Sequence, residues 1–587
     1  MSEGSEGFVK RLLSVSNKKA LGVYYTPEVV AQAIVEWAIR DRSCEVFDPS
    51  FGGCAFFRAA LERLRDMGSK WPGKQIYGVD VDQDARDFLE PALKSGGDAK
   101  QFLTTDFLSV SAQEMPGAPF EAVVGNPPYI RHHLLSRETR FRAQGMLREK
   151  GLAVSGRASM WAYFVMHSID FVAGGGRLGM VLPAAFLCSD YGHVVRDKIL
   201  SSFSRVTVLI VGKPVFSDAQ ELSVLLLAED RKDCCGELRV GLVPSTDHVL
   251  SACRDIDHWS HGVDHLDRGG VWIRGLIEPS VLAAFEKIKA KSEVIPLGAL
   301  ADVRIGVVTG ANDVFIVSQA WIGKSKTLRN WARPVVDRAS HLRGLCFARK
   351  DHRALAKKGL RCFLLDIPSQ RKLPARLNAY LDEPVSREAA ERYKCRTREF
   401  WYSIGDAGCP AAFLHYMCAD APRLVINQAG ATCTNAIHRL TWKRRLSRAE
   451  AKWLAISSVS TLFKFGAEMI GRRYGGGVLK IEPSDARRLL LVSPGSATAS
   501  AEAVFVQIDE LLRKGRNAEA TELADRVVLR EALGMCAQEI SALAAARDFL
   551  CELRLGKAGR VGESKGKIGD AGVVAAVVAP TVQLHGL

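Results

Sequence analysis

The chain has 587 residues, which is too long for a single hydrophobic core and predicts two or three domains. Its 47% hydrophobic and 25% charged residues are ordinary for a globular protein and exclude a fibrous or disordered class. The net charge of +15 favours a polyanionic partner, because clustered basic residues bind phosphates. The 14 cysteines have no zinc-type spacing, and no apolar stretch reaches the roughly 20 residues that span a bilayer. We therefore expect a cytoplasmic protein with reduced thiols, no metal and no membrane association.

The first half of the chain alternates strand-like and helix-like segments. The predicted strands are short apolar runs at residues 45–47, 75–79, 101–104, 122–125, 177–182, 206–211 and 222–228. Helical patterns separate most of these strands, at residues 55–67, 84–94, 159–172 and 191–203. This alternation predicts a Rossmann-like α/β fold with a doubly wound, mostly parallel seven-stranded sheet. The last two strands have no helix between them, so we expect them to form a hairpin at the sheet edge.

The second half of the chain lacks this alternation. Residues 294–494 contain short strand-like pieces and frequent turns, and residues 502–555 are rich in helix formers. We predict a separate α+β domain followed by a helical C-terminal segment. The predicted organisation is an N-terminal extension (1–20), an α/β domain (21–240), a linker region (241–290), an α+β domain (291–495), C-terminal helices (496–555) and a disordered tail (556–587).

The first two predicted strands end in acidic residues beside a glycine turn. The first strand leads into Asp48-Pro49-Ser50-Phe51-Gly52-Gly53-Cys54, and a helical pattern follows. Such a turn can cradle a nucleotide-like cofactor, because glycine lets the backbone approach a ligand. The second strand ends at Asp80, where an acid can bind ribose hydroxyls. Since carboxyl ends of parallel strands meet at one edge of a sheet, we expect these groups to line one site.

The third and fourth predicted strands end in groups that suit a planar amine. Asp106 could accept hydrogen bonds from an exocyclic amine, and Phe107 could cover a ring face. The fourth strand ends at Asn126-Pro127-Pro128-Tyr129, where the prolines end the strand and hold the backbone rigid. A rigid amide acceptor beside an aromatic ring indicates methylation of an exocyclic amine on a nucleobase.

Taken together, these segments resemble a known family of enzymes. The motifs are, in chain order, Tyr24-Tyr25-Thr26-Pro27, Asp48-Pro49 with Gly52, Asp80, Asp106-Phe107 and Asn126-Pro127-Pro128-Tyr129. They resemble the gamma-class, TaqI-like N6-adenine DNA methyltransferases of type II restriction–modification systems. The similarity extends through residues 175–183 and Val215-Phe216.

The resemblance implies a class I methyltransferase fold that binds S-adenosyl-L-methionine. The residues that would bind this cofactor are Tyr24, Tyr25, Thr26, Asp48, Gly52, Asp80, Asp106 and Phe107. The first three would close over its methionine end, the next two would hold its amino acid part, Asp80 would bind the ribose and the last two the adenine. The family has a glycine where this chain has Cys54; we expect cofactor binding to survive this difference, and its effect on affinity stays open.

The resemblance also assigns the chemical step to the tetrapeptide 126–129. Asn126 and the Pro127 carbonyl would accept the two N6 hydrogens of the target adenine, on a backbone that Pro128 keeps rigid. Methyl transfer would be a direct in-line displacement that depends on positioning and needs no strong general base. Tyr129 and Phe216 would stack the target base, which must be flipped out of duplex DNA to reach the site.

Two further regions carry basic residues that could serve a function. Residues 131–156 are polar and basic and follow the tetrapeptide directly, which favours either a functional loop or a solvated surface helix. The α+β domain would recognise the target sequence in double-stranded DNA. Its candidate contacts are Arg398, Trp401, His438, Arg439, Trp442, Lys443, Arg444 and Arg445.

Other functions remain compatible with these motifs. The tetrapeptide also occurs in methyltransferases of RNA bases and of a protein glutamine, although those proteins are generally shorter. A cytosine-N4 enzyme would more usually have serine in place of Asn126, and a DNA-binding protein on a degenerate fold would explain Cys54. We see no convincing nuclease motif, so we expect no cleavage activity and consider a separate cognate restriction endonuclease as a partner.

Overall fold

The computed structural model describes residues 26–152, 154, 158–216, 222–232, 236–256, 271–323, 326–369, 372–493 and 501–555. Tyr24, Tyr25 and the predicted extension and tail lie outside these residues. The chain divides into two compact units after Glu278, within the stretch predicted to be a linker. Residues 473–477 and 552–555 also belong to the first unit. No helix in the described part of the chain is long and apolar enough to cross a membrane.

The first unit contains one large sheet with helices on both faces. Its strands are β1 (Val46–Asp48), β2 (Ile76–Asp80), β3 (Phe102–Thr104), β4 (Phe120–Gly125), β5 (Val172–Pro183), β6 (Phe203–Val211), β7 (Ser223–Arg231) and β8 (Glu237–Val243). Its α-helices are α1 (Glu28–Ala38), α2 (Ala55–Asp66), α3 (Glu90–Lys94), α4 (Arg137–Glu149), α5 (Met160–Ser168), α6 (Ala185–Cys188), α7 (Asp190–Ser202) and α8 (Val249–Arg254). Short 3-10 helices occupy Pro72–Gln75, Gln83–Phe88, Ala99–Gln101, Phe107–Ser109, His132–Leu134, Ile169–Phe171, Thr246–His248 and Trp272–Leu276.

The strand order of this sheet is β3-β2-β1-β4-β5-β7-β6-β8. The pairs from β3 to β5 are parallel, and β7 is antiparallel to both of its neighbours. The order reverses between β1 and β4, which is where open α/β sheets bind ligands. The predicted doubly wound, mostly parallel fold is therefore confirmed.

The sheet differs from the prediction at one edge. It has eight strands rather than seven, because residues 237–243 add a strand parallel to β6. The predicted hairpin of β6 and β7 is present, but β8 takes the edge position. Part of the predicted linker thus completes the first unit.

Alternating side chains of β1 belong to different faces of the sheet, as the pleat requires. Val46 joins the apolar core that includes helices α1 and α2. Phe47 lies between the rings of Phe120 and Phe171, with centroid distances of 5.0 Å and 5.1 Å. Because both faces are covered, the strand is buried throughout, and its two apolar residues, Val46 and Phe47, precede the buried Asp48.

The second unit contains several small sheets, as expected for the α+β domain. Its strands are β9 (Val294–Pro296), β10 (Ala301–Ile305), β11 (Ile316–Ser318), β12 (Ala332–Val336), β13 (Cys346–Ala348), β14 (Arg361–Leu365), β15 (Ala412–His415), β16 (Met417–Cys418), β17 (Leu424–Gln428), β18 (Thr432–Cys433), β19 (Ile437–Trp442), β21 (Val478–Lys480) and β22 (Leu490–Val492), while β20 (Arg472–Tyr474) spans the division between the units. The sheet orders are β10-β19-β15-β17-β13, β11-β14-β12-β18 and β22-β9, and β16 pairs with β21.

Helices connect these sheets and end the described chain. They are α9 (Pro279–Lys289), α10 (Leu297–Leu300), α11 (Asn312–Phe315), α12 (Gln319–Ile322), α13 (Lys326–Asn330), α14 (Arg349–Lys357), α15 (Ala375–Leu381), α16 (Pro384–Glu391), α17 (Tyr393–Arg396), α18 (Arg448–Ser457), α19 (Thr461–Ile470), α20 (Pro483–Arg488), α21 (Ala501–Arg513), α22 (Asn517–Ala524) and α23 (Ala537–Arg554), with a π-helical turn at Asp525–Ala532 and a 3-10 turn at Ala339–His341. The predicted C-terminal helical segment is confirmed by α21 to α23.

A buried histidine in α5 connects two helices of the first unit. His167 Nε2 lies 2.8 Å from the Val110 carbonyl oxygen, and its Nδ1 lies 2.9 Å from Lys150 Nζ. These contacts fit the neutral tautomer, in which Nε2 donates and Nδ1 accepts from the ammonium. Lys150, which follows α4, also pairs with Asp170. Burial, with a smaller effect of the Lys150 charge, lowers the pKa of His167 to about 4.

The lowered pKa of His167 predicts that the folded protein loses stability as the pH falls. The unfolded chain binds the His167 proton near pH 6.5 but the folded chain only near pH 4, so stability is full above 6.5 and falls between these values. We expect wild type to lose up to about 1.4 kcal/mol per pH unit from this group, and His167→Gln to have a shallower dependence. Denaturant unfolding of both proteins between pH 7 and pH 4 tests this, and equal slopes would contradict it.

Candidate active site at the carboxyl ends of strands β1 to β4

Asp48, the last residue of β1, is a buried acid whose two carboxylate oxygens differ in their hydrogen bonding. Its side chain is only 1% exposed, and its Oδ1 accepts a hydrogen bond of 2.9 Å from the Ser50 amide. Its Oδ2 has no hydrogen-bond partner among the described residues. Burial, with a smaller contribution from Asp80, raises the pKa of Asp48 well above its usual value. An orphaned acceptor of this kind would be stabilised by a cationic or donor ligand.

Asp80, at the end of β2, fixes the glycine turn that follows β1. Its Oδ2 accepts a hydrogen bond of 2.8 Å from the Gly52 amide, and its Oδ1 accepts one of 2.8 Å from the Asp82 amide. Burial raises the pKa of Asp80, and these hydrogen bonds oppose the effect. Gly52 has φ +43°, and a Cβ added there would meet nothing nearer than the Ser50 carbonyl at 3.9 Å. The hydrogen bond to Asp80 therefore fixes the turn, and the Cβ position of Gly52 is not crowded by protein atoms.

Cys54 takes a left-handed conformation immediately before α2, with φ 58°. Its side chain is 1% exposed and belongs to the apolar core of this unit. Burial raises the pKa of the Cys54 thiol to about 12. The sulfur is therefore packed inside the protein and is not presented to a ligand above the turn.

Asp106, after β3, is engaged on both oxygens. Its Oδ1 accepts from the Leu108 amide at 3.1 Å, and its Oδ2 accepts from Arg142 Nη1 at 3.0 Å. Arg142 lies on α4, and its Nη2 donates to Glu138 Oε1 at 3.0 Å. This ion pair was not predictable, because its two partners are far apart in the chain.

Phe107 and Val81 differ in how much surface they offer a ligand. Phe107 is 2% exposed, with ring centroids 4.7 Å from His167 and 5.1 Å from Phe171. Val81, immediately after Asp80, is 74% exposed although it is apolar. Val81 was not among the predicted cofactor residues, and the signal for it was an apolar residue between two acids at a strand end.

The tetrapeptide 126–129 follows β4 and lies against the turn after β1. Ser50 Oγ donates to the Asn126 carbonyl oxygen at 3.2 Å. Gly125 allows this approach, because a Cβ there would lie 3.0 Å from Asp48 Oδ1 and 3.2 Å from Pro49 Cδ. The two loops on either side of the strand-order reversal are thus joined directly.

The aromatic residues assigned to the target base lie together. The Tyr129 and Phe216 ring centroids are 6.3 Å apart with an interplanar angle of 75°. Phe216 is 5% exposed and Tyr129 is partly buried, as is Asn126. Thr26, the one described residue of the predicted N-terminal motif that was assigned to the cofactor, directly precedes Pro27 and α1.

Several candidate DNA contacts of the second unit make contacts within that unit. Arg398 Nη2 donates to the Val308 carbonyl at 2.7 Å, and Trp401 packs against Phe315 with centroids 6.0 Å apart. His438 is fully buried, and its Nε2 lies 2.6 Å from the Ile481 carbonyl. The more exposed candidates are Lys443, Arg444 and Arg445.

A cavity of about 700 Å³ opens at the opposite, amino edge of the same sheet. It is lined by residues that precede or begin strands, among them Lys74, Tyr77, Gln101 and Gly117. It contains none of the groups described above. The unsatisfied carboxylate and the open glycine turn lie at the carboxyl edge, which is where this fold binds ligands.

Known protein families match both halves of the chain. The N-6 DNA Methylase family matches residues 3–243. The family described as Type II methyltransferase M.Eco57I, C-terminal domain, matches residues 269–529. Type II methyltransferase M.AccI of Acinetobacter calcoaceticus is 20% identical over 502 residues, which cover 82% of this chain and 87% of that protein. M.XamI of Xanthomonas campestris pv. amaranthicola is 22% identical over 485 residues, covering 80% and 85%.

Solved structures agree on the fold. The type IIL restriction–modification enzyme MmeI, solved in complex with DNA, has a TM-score of 0.55 at 12% identity and covers 94% of this chain and 78% of its own. The DrdV–DNA complex has a TM-score of 0.52 at 10% identity, with 86% and 58% covered.

Residues 3–243 thus match a DNA methylase family, and the large sheet has a fold that MmeI and DrdV share. Both halves of the chain are similar to DNA methyltransferases of type II restriction–modification systems, in agreement with the resemblance that the motif order indicated. The chain is a site-specific DNA methyltransferase.

Substitutions in the turn after β1 should separate stability from cofactor binding. Cys54→Ala removes a buried sulfur, so we expect the free energy of unfolding to fall by about 1 kcal/mol. The KM for S-adenosylmethionine should change by less than about twofold, or about 0.4 kcal/mol. Gly52→Ala places a methyl group above the turn and strains its backbone, so it should raise this KM about tenfold or more. A tenfold effect of Cys54→Ala on KM would contradict the burial of its sulfur.

Proposed function

We propose that this enzyme transfers a methyl group from S-adenosyl-L-methionine to the N6 amine of an adenine flipped out of double-stranded DNA. The observation that carries the proposal is the contact between Ser50 Oγ and the Asn126 carbonyl oxygen. It places a turn suited to the cofactor beside a tetrapeptide suited to a planar amine. A methyl donor and its acceptor must lie this close for direct transfer.

The turn after β1 fits the amino acid part of the cofactor. The ammonium group would pair with Asp48 Oδ2, which has no other partner among the described residues. The open space above Gly52 would let the cofactor lie against the backbone. Asp80 would accept from the ribose hydroxyls with the lone pairs that its two amide contacts leave available.

The adenine of the cofactor would lie between strands β2 and β3. Asp106 would accept from the exocyclic amine, beside the Arg142 guanidinium that holds its Oδ2. Val81 supplies an exposed apolar surface for one ring face. Phe107 would contribute through its 2% exposed edge, and mainly by supporting the turn from the core.

The tetrapeptide would hold the target amine in a reactive geometry. The Asn126 side-chain oxygen and the Pro127 carbonyl would accept the two N6 hydrogens, which turns the nitrogen lone pair out of conjugation and toward the donor. Pro128 would keep these acceptors fixed, while Tyr129 and Phe216 would contact the flipped base. The cofactor would supply an electrophilic methyl group on a sulfonium, so these residues would only have to accept hydrogen bonds and position the base. After transfer, the methylated nitrogen would release one of its two protons to solvent.

We also propose the setting in which this reaction occurs. Because the substrate is DNA, the enzyme would act in the cytoplasm in association with the nucleoid. A separate endonuclease that cuts the same unmethylated sequence would be its partner, as in restriction–modification systems. We propose no nuclease activity for this chain.

Methyl transfer by wild type and Asn126→Ala tests the proposed function. With labelled S-adenosylmethionine and duplex DNA, wild type should form N6-methyladenine, identified by nucleoside analysis. Asn126→Ala should lower kcat by about 100-fold or more, since it removes an acceptor used at the reacting nitrogen. Its cofactor affinity should remain, which calorimetry would establish. Transfer only to RNA or to protein, or formation of N4-methylcytosine, would contradict the proposal.

A cofactor analogue tests the role of Asp106. We expect wild type to bind S-adenosylhomocysteine about tenfold more tightly than an analogue in which hydrogen replaces the exocyclic amine, since a hydrogen bond to a charged group is lost. Asp106→Ala should bind both compounds equally. Competitive inhibition constants measure this, with Asp82→Ala as a neighbouring acid control. An undiminished preference in Asp106→Ala would remove Asp106 from the adenine site.

A further inference from the structure

The helix α4 follows the catalytic tetrapeptide and is firmly attached to the first unit. Its inner face carries Ala143 and Leu147, which are 0% and 1% exposed and lie one turn apart. Residues 131–156 were predicted to be either a functional loop or a surface helix, and 137–149 form a helix with a buried side.

Polar contacts fix α4 at both ends and in the middle. Ser136 Oγ accepts a hydrogen bond of 3.0 Å from the Thr139 amide and caps its start. Arg142 pairs with Asp106 at 3.0 Å in the middle. Lys150, just beyond its end, contacts His167 at 2.9 Å. The direction of its outer face is therefore defined by the fold.

That outer face carries an exposed aromatic ring between two arginines. Phe141 is 75% exposed. Helical geometry places Arg137, Phe141 and Arg148 within about 40° of one another around the axis, along about 16 Å. Both arginines are exposed, and neither forms an ion pair or side-chain hydrogen bond within the described part of the chain. We call these three residues the α4 stripe.

We propose that the α4 stripe is a DNA-binding surface of the catalytic unit, in which Arg137 and Arg148 contact phosphates and Phe141 packs against the sugars or bases beside the flipped adenine. The inference rests on the proposed function, because it takes DNA as the substrate. It places a DNA contact in the first unit, in addition to the DNA contacts proposed for the second unit.

Charge favours DNA over a protein partner for this surface. Glu138, an acid on the same helix, pairs with Arg142, and neither Arg137 nor Arg148 forms an ion pair among the described residues. Uncompensated guanidinium groups beside an aromatic ring suit phosphates and nucleobases, since phosphate contacts give affinity and stacking tolerates any base. The same helix reaches Asp106, so the surface is connected to the proposed cofactor site.

Binding of duplex DNA at several salt concentrations tests the proposal. Arg137→Gln/Arg148→Gln should weaken binding and reduce the slope of log Kd against log salt by about two, because two phosphate contacts are lost. Phe141→Ala should weaken binding roughly tenfold with no change in slope, and Phe141→Trp should restore it. The KM for S-adenosylmethionine should stay at the wild-type value in all of these variants.

Matched controls lie on the opposite side of the sheet. Trp71 is a 59% exposed aromatic residue before β2, and Arg42 is an exposed arginine before β1. Trp71→Ala and Arg42→Gln should leave DNA affinity and its salt slope unchanged. All these positions are on the surface, so circular dichroism should report intact folding.

Two outcomes would overturn the inference. Stripe variants with wild-type DNA affinity and salt slope would show that this face does not contact DNA. A loss of self-association or of binding to a protein partner, with DNA binding intact, would assign the face to a protein instead. Either result, with wild type still forming N6-methyladenine, would leave the proposed function standing, whereas absence of DNA methylation by wild type would remove the basis of both.

Discussion

The candidate site depends on one buried carboxylate, that of Asp80. Its two oxygens accept the amides of Gly52 and Asp82, which offsets the cost of burying an acid beneath the turn. The parallel register pairs Asp48 with Gly78, so the end of β2 extends past the end of β1 and reaches under the turn. The strand register thus determines where the turn after β1 lies. Ser50 of this turn donates a hydrogen bond to the Asn126 carbonyl oxygen. Without the hydrogen bond from the Gly52 amide to Asp80, the position of the turn relative to the sheet would not be fixed.

A second connection runs through Asp106 and α4. Arg142 holds one oxygen of Asp106, and the helix that carries it begins shortly after Tyr129. The group proposed for the cofactor adenine is therefore held by an ion pair from α4, and the tetrapeptide proposed for the target adenine leads into the same helix along the chain. Such an arrangement limits how far either can move alone, which is what a transfer reaction governed by positioning requires.

Much of the first unit was predictable because the relevant signals are local. A buried parallel strand appears as a short apolar run, and the residue at its carboxyl end is then placed at a known edge. This reasoning located Asp48, Asp80, Asp106 and Asn126 at the ends of four neighbouring strands.

The remainder depended on contacts between distant parts of the chain. Nothing near Arg142 in sequence indicates its pairing with Asp106, and nothing near 237–243 indicates pairing with β6. The burial of Phe107 follows from rings supplied by α5 and the turn after it. Composition also does not reveal burial or internal contacts. The sequence did not indicate that His438 is fully buried or that Arg398 donates a hydrogen bond to the Val308 carbonyl.

In the proposed mechanism the cofactor binds at the carboxyl edge of the sheet. A crystal structure with S-adenosylhomocysteine would test it most directly. We expect the amino acid part of the ligand at Asp48 Oδ2, its ribose at Asp80 and its adenine beside Asp106 and Val81. Binding in the 700 Å³ cavity at the amino edge, near Lys74 and Tyr77, would contradict this account.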